Sequence, residues 1–192
     1  MRYAKDHKEK TRQRIIEIAS QNFRERGFEG EGIASVMQGA GLTNGAFFNH
    51  FSSKEDLARE VVAYAMAERL AFLEERLAAG GGSAVAYVES YLSLRHRDNP
   101  QQGCPIATLV ADVARRTDPV REAFAAGMDA LVDRLAQQWP TLDKAAGRAR
   151  AIALYSLING ALQLARATKD ATLSEEILAA GKQSALALIA AT

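Results

Sequence analysis

Apolar residues in this chain recur three and four positions apart, and that spacing confines it to packed helices. Ile15, Ile18, Ala19 and Phe23 share one helical face, and Ile33, Val36, Met37 and Ala40 repeat the pattern after Gly27. No segment shows the sustained valine and threonine alternation of a half-buried strand. Three prolines mark breaks, at Asn99-Pro100, Asp118-Pro119 and Trp139-Pro140, because proline disfavours helix at the residue before it. Pro105 suits the first position of a helix. The expected fold class is all-α with about nine helices. The first runs from about residue 8 to Gly27, then 33–40, a short one over 43–51, and a long one over 54–79. Five more follow near 83–97, 105–116, 119–138, 143–168 and 173–190. Ser53 with Glu55 and Asp56 behind it announces the long helix, and Thr172 followed by Glu175 resembles a capping box for the last.

At 192 residues and 48% hydrophobic the chain can build one sizeable core, or a small domain fused to a larger one. The charged start MRYAKDHKEK has no apolar stretch and is not a secretory signal. The most apolar run, 184–191, is far shorter than the roughly 20 residues a bilayer crossing takes. Cys104 is the only cysteine, so no disulfide forms within the chain, which suits the cytoplasm. A net charge of +1 conceals an uneven distribution. Arg2, Lys5, Lys8, Lys10, Arg12 and Arg14 face only Asp6 and Glu9 in the first fourteen residues. Such a basic arm is either a footprint for nucleic acid or a solvated helix end.

The stretch GLTNGAFFNHF, residues 41–51, carries too many polar groups for a core helix and too many phenylalanines for a solvated one. A helix-turn-helix explains both properties. Its first helix braces a second that grips the core on one side and meets phosphates and base edges on the other. Phe47 and Phe51, four residues apart, share the inward face. Thr43, Asn44, Ala46, Asn49 and His50 fall outward, Phe48 lies on the flank, and Gly45 lets the backbone approach a phosphate.

Residues 11–62 resemble the DNA-binding domain of the TetR/AcrR family of bacterial transcriptional regulators. The matching features are Phe23 with Arg26-Gly27-Phe28, the turn Ala40-Gly41-Leu42-Thr43, Gly45, the aromatic pair before His50-Phe51, and Ser53-Lys54-Glu55 with Leu57. Residues 96–124 are similar to an AcrR-like subgroup with Gly-Cys-Pro opening its sixth helix. The resemblance implies a helix-turn-helix domain over 1–53 and a ligand-binding and dimerisation domain over 54–192. It also implies DNA contacts from Ser35, Thr43, Asn44, Gly45, Ala46, Phe48, Asn49, His50 and Lys54. Three positions depart from the family pattern. Asn44 replaces a phosphate-binding lysine, Phe48 replaces a tyrosine whose hydroxyl donates to phosphate, and Glu31 stands where a serine or threonine would cap helix two. Since residues 43–50 hold no lysine or arginine, the expected salt dependence of DNA binding is shallow.

Enzyme chemistry has little to rest on. Gly39-Ala40-Gly41 and Gly30-Glu31-Gly32 lack the third glycine of a dinucleotide fingerprint, no Gly-x-Ser-x-Gly elbow occurs, and three scattered histidines with one cysteine make no metal site. No cofactor is expected. Cys104, at a helix N-cap, is either an oxidant sensor with a depressed pKa or a small packed side chain. Candidate effector contacts are Phe72, Tyr87, Tyr91, Cys104, Met128, Tyr155 and Asn159, with Gln163 as a further polar group; the other reading is ordinary core packing. Segments 151–165 and 177–191 are apolar nearly all round and need partners on every side. They are expected to form a two-fold, four-helix dimer interface around Ile158, Leu162, Ala165, Leu178, Gly181 and Leu188. The function expected is a dimeric, ligand-responsive repressor with double-stranded operator DNA, a small-molecule effector and a second copy of itself as partners, and no membrane. The alternative is a helical small-molecule-binding protein with weakened DNA binding.

Overall fold

The computed structural model describes residues 2–191, with side chains from His7 onward; Arg2, Lys5 and Asp6 of the arm lie outside the described side chains. Among the described residues there are nine α-helices, two short 3-10 helices and no strand. Helix α1 spans Arg2–Gly30 and starts earlier than its apolar pattern does. Gly27 interrupts it with φ 73° and ψ 170°, a left-handed conformation that side chains disfavour, so the helix kinks where the sequence places its stop. Helix α2 spans Ile33–Gly39. The turn after it needs Gly41 at φ 69°. Asn44–Asn49 then form a 3-10 helix rather than an α-helix, two turns too tight and too short to stand without the buried Phe47.

Helix α3, Lys54–Ala79, is the long central element. Ser53 Oγ accepts from the Asp56 N–H at 3.0 Å, and Asp56 answers by accepting from the Ser52 N–H, also at 3.0 Å. The segment expected as one helix over 83–97 is two, α4 Val85–Tyr91 and α5 Leu94–Asp98. Leu92 and Ser93 leave helical geometry because the Ser93 hydroxyl donates to the Ser90 carbonyl and accepts from the His96 N–H, supplying both groups that a continuous helix would have used. A 3-10 turn at Pro100–Gln102 leads to α6, Pro105–Val113. Helix α7 spans Asp118–Ala136, α8 Lys144–Ala167 and α9 Ala171–Ala190. The cap of α9 is Asp170, whose carboxylate accepts from Leu173 N–H at 2.8 Å, and not the Thr172 box. No helix among the described residues is long and apolar enough to cross a membrane.

Buried side chains form one continuous cluster from Ile15 to Ala185. Ile15, Ala19, Phe23, Val36, Met37, Phe47 and Phe51 bring α1, α2 and the 3-10 helix together, and Leu57, Ala58 and Val61 of α3 lie in the same cluster. Helices α8 and α9 pack along each other and require a correction to the expected interface. Ile158, Leu162, Ala165 and Leu178 are buried inside the single chain and cannot meet a second copy. At Gly181 α8 and α9 approach closely: a Cβ there would sit 2.5 Å from Ala161 Cβ. Leu188 is half-buried. The faces left open carry Ile152, Ala153 and Leu164 of α8 and Leu173, Ala180 and Ala187 of α9. An all-round apolar helix has two packing faces, and residue type alone does not say which one turns inward.

Candidate functional site

The residues expected to contact DNA lie on α2, around the 3-10 helix and at the start of α3, and none of them is buried. Ser35, Thr43, Asn44, Gly45 and Asn49 are exposed, while Ala46, His50 and Lys54 are half-exposed. Phe47 and Phe51 point inward as their spacing requires, with ring centroids 5.5 Å apart. Phe48 is 72% exposed and stands edge-on to Phe47. It is the most exposed large apolar side chain of the described residues, on the surface because Phe47 and Phe51 take the inward face of the segment. Thr43 occupies the N-cap position without a side-chain cap bond, so its hydroxyl is free to meet a ligand. No atom lies within 4 Å of where a Gly45 side chain would begin, which leaves the backbone open to close approach.

A concavity of about 780 Å³ runs between the start of α1 and this segment, lined by His7, Lys8, Thr11, Leu42, Phe48, Asn49 and His50. Burial, followed by the charges of Lys8 and Arg12, lowers the His50 pKa, so its imidazole is neutral at pH 7 and brings no cation to the surface. Arg12 is tied to Glu60 at 3.2 Å and lies over the Phe51 ring. Glu31, expected only as a poor cap, is buried. It accepts from Asn22 at 2.9 Å and from Arg26 at 3.1 Å. Burial would raise its carboxyl pKa, but hydrogen bonds from Ser35, Asn22 and Arg26 outweigh that and hold it low. Gly32 takes the cap position, without a side-chain bond.

A second cavity, about 590 Å³, opens between α1, α3 and the 90–105 segment. Gln21 and Arg24 line it from α1, and Ala65, Glu68, Arg69, Phe72, Glu75 and Arg76 from α3. Ser90, Tyr91, Ser93, Arg95, His96 and Gln101 contribute from the far side. Of the expected effector contacts, only Phe72 and Tyr91 line it. Tyr87, Cys104, Tyr155 and Asn159 are buried, and with Met128 on α7 they do not line the cavity; Gln163 does not either.

The buried tyrosines form a polar network instead. The Tyr87 and Tyr155 hydroxyls are 2.6 Å apart, Tyr91 donates to Asn159 Oδ1 at 2.8 Å, and the Asn159 amide donates to the Tyr155 carbonyl at 2.9 Å. Burial pushes the Tyr87 phenol up to about 12 and those of Tyr91 and Tyr155 well above their ordinary value. All three are neutral hydrogen-bonding groups at pH 7.

Sequence reasoning missed Arg69, which anchors that network. It is 7% exposed, donates from Nε to the Tyr87 hydroxyl at 3.0 Å, and lies over the rings of Phe72, Tyr87 and Tyr91 at 4.6 to 4.7 Å. The signal was present: Val62, Ala65, Met66, Arg69 and Leu73 keep one helical register, so a charged residue sits at a core position. His96 also went unassigned. Its Nδ1 donates to the Tyr91 carbonyl at 2.7 Å, leaving Nε2 to accept from the Cys104 N–H at 2.9 Å. Burial and the nearby Arg69 charge push its pKa down to about 3. Cys104 is buried with its N–H spoken for, at the N-cap of α6.

The two concavities share α1, the second at Gln21 and Arg24 and the first at His7, Lys8 and Thr11. Arg24 donates to the Ser20 carbonyl, to the Gly103 carbonyl at 3.2 Å and to Glu68 at 3.2 Å, joining that helix to α3 and the cavity's far wall. Arg116, after α6, pairs with both Glu29 and Glu55 and stacks on Phe28. Asp112 accepts from the Phe28 N–H at 3.3 Å.

Residues 15–61 match the family model of bacterial regulatory proteins of the tetR family, and residues 83–179 match that of the C-terminal domain of LmrA/YxaF-like transcriptional regulators. The chain is 26% identical to the HTH-type transcriptional repressor DhaR of Mycobacterium sp. (strain GP1), over 57% of this chain and 56% of DhaR, little more than half of that relative's length. An HTH-type transcriptional regulator of Mycobacterium tuberculosis is 29% identical over 84% of this chain and 87% of its own. The repressor NemR of Escherichia coli is 26% identical over 66% of each chain. The crystal structure of reduced NemR superposes with a TM-score of 0.75 at 23% identity, covering 92% of this chain and 95% of NemR. A transcriptional regulator from Cytophaga hutchinsonii superposes at 0.76 with 19% identity, over 97% and 98% of the two chains. These superpositions show a shared fold.

Proposed function

The chain belongs to the TetR family of bacterial transcriptional regulators, and from that premise we propose that it is a homodimeric repressor which a small-molecule effector releases from a pseudo-palindromic operator. The observation that carries the regulatory half is the cavity wall shared by Gln21 and Arg24 of α1 with Arg69, Phe72 and Arg76 of α3. A ligand there touches the helix on which the DNA-reading surface is built. It needs only favour a pose of α1 that misplaces the two heads. A coupling of about 1–3 kcal/mol between the sites changes operator affinity about 5- to 150-fold.

On the DNA side, Thr43, Asn44, Asn49 and His50 are assigned to base edges and phosphates, with Gly45 and Ala46 at closest approach, and Ser35 and Lys54 to the flanking backbone. Exposed Phe48 is assigned to the flank of that surface, beside the phosphate backbone. The dimer is assigned to the exposed faces of α8 and α9 around Leu164 and Leu173. Reading head and regulatory body are divided at Ser53/Lys54. We assign the protein no catalytic role, and its working compartment is the cytoplasm, with the DNA.

Selection of the purified chain against random duplex DNA tests this. The expected result is an inverted repeat whose half-sites are one helical turn, roughly 34–36 Å, apart. Folded, dimeric protein that recovers no sequence at low salt would overturn it. Asn44 and Phe48, neither able to give a phosphate what lysine and tyrosine would, favour a second reading in that case: a small-molecule-binding protein with weakened DNA binding.

A further inference from the structure

Arg69 is charged at any pH at which the chain folds, because a guanidinium does not deprotonate in proteins. It is buried, yet among the described residues no carboxylate lies within 4.0 Å of it, and its Nη2 has no hydrogen-bond partner. Its only polar bond is to a neutral phenol, and its other neighbours are aromatic faces. Cation–π contacts offset part of the cost of such burial, but each aromatic face is worth far less than an anion would be in the same surroundings.

The cavity beside it is electropositive as a whole. Arg24, Arg69, Arg76 and Arg95 line it against Glu68 and Glu75 only. Both acids are engaged, Glu68 by Arg24 at 3.2 Å and Glu75 by Arg76 at 2.5 Å. Arg76 Nε is a second buried donor without a partner, on a side chain that lies over Phe72. Two side chains with an unpaired guanidinium N–H therefore line one cavity, and both guanidiniums lie over the Phe72 ring.

We propose that this cavity takes a small organic carboxylate whose anionic group pairs with Arg69 and whose body rests against Phe72 and Tyr91. The proposal deepens the effector half of the function above and rests on it. A carboxylate supplies the two acceptor oxygens that fit the guanidinium fork, and the surrounding hydroxyls and amides of Ser90, Ser93 and Gln101 are suited to further polar groups on the ligand. Arg69 is kept uncompensated in the ligand-free chain because the ligand brings the counter-charge.

The test uses the full chain and four acids: benzoate, 4-hydroxybenzoate, phenylacetate and hexanoate. Each is titrated calorimetrically beside its neutral amide, with inorganic phosphate as the bare-anion control. At least one acid is expected to bind about tenfold or more tightly than its amide, and Arg69→Met to abolish that preference while the variant remains folded. If Arg69→Met does not fold, Arg69→Lys decides: it keeps the charge but loses the fork, so acid binding weakens and amide binding does not change.

Amides binding as well as acids, acid binding that survives either substitution undiminished, or no acid binding at all overturns the proposal. Phosphate binding as tightly as the acids through Arg69 overturns the organic ligand in favour of a bare anion site. Operator release is read separately by fluorescence anisotropy on the selected duplex. Acids that bind through Arg69 without releasing DNA refute the regulatory reading and leave the site standing. Release by a neutral compound while no acid binds supports the regulatory reading and overturns the site.

Discussion

Two residues set the character of the proposed DNA-reading surface. Phe48 projects where a phenol would donate to phosphate, and Asn44 where a lysine would pair with it. Phe48→Tyr should tighten operator binding about five- to tenfold, by roughly the 1–1.5 kcal/mol of one added hydrogen bond, read by fluorescence anisotropy at fixed salt. Unchanged affinity would mean that the ring faces a base and not the backbone. Asn44→Lys should tighten binding to all sequences alike and, with one lysine added in each subunit, steepen the dimer's salt slope by about two. At this scale the sequence was most legible where spacing decides direction: Phe47 and Phe51 had to point inward once Phe48 and Asn49 did not. It was least legible where a residue's type and position disagree. Arg69 sits in an apolar register, and only its burial without a carboxylate shows that the register was kept and the charge tolerated.

Among elements, boundaries set by backbone chemistry could be read, and those set by side-chain rearrangement could not. Ser53 caps α3 as expected because a serine followed three residues on by an acid leaves few other solutions. The split of 83–97 depends on the Ser93 hydroxyl turning both ways, a choice that tertiary packing makes. Gly181 decides how closely α9 lies on α8. Gly181→Val should overpack that crossing and lower unfolding stability by about 1–3 kcal/mol in urea, with helix content unchanged below the transition.

His96 gives the 91–104 segment a pH dependence of fixed sign. Its folded pKa of about 3 lies below an unfolded value of 6.5, so the unfolded chain binds the proton more readily between them. The stability it contributes is complete above about pH 6.5 and is lost as the pH falls toward 3. His96→Asn, which carries no titrating ring, should flatten the drop in urea midpoint between pH 7 and 5 relative to the parent chain. Parallel curves for the two proteins would refute the assignment.

For the whole molecule, the open question at sequence level was which face of each apolar helix meets a partner. Burial turned Ile158, Leu162, Ala165 and Leu178 inward and left Ile152, Leu164 and Leu173 outside. Leu164→Glu should therefore halve the particle, from twice 20.8 kDa to 20.8 kDa in light scattering, without loss of helical signal. A parent chain that is already monomeric would remove this interface. The salt slope belongs to this scale as well. Lys8 borders the reading concavity, Arg14 lies beside Gly41 and Lys54 opens α3, which limits a dimer to about six neutralised phosphates and a slope near −5. A slope of about −9 would assign the binding to the arm before His7 instead.

In the proposed function helix α1 is at once a beam of the reading head and a wall of the effector cavity, and this shapes how such a protein can change over generations. A substitution at Gln21 or Arg24 that admits a new ligand also alters the footing on which the DNA-reading surface stands. Ligand preference and operator strength are then inherited as one trait. Under that proposal, a lineage that retunes the cavity with least disturbance to the head does so at Ser90 and Ser93, away from the Pro100–Gln102 turn that packs on α1.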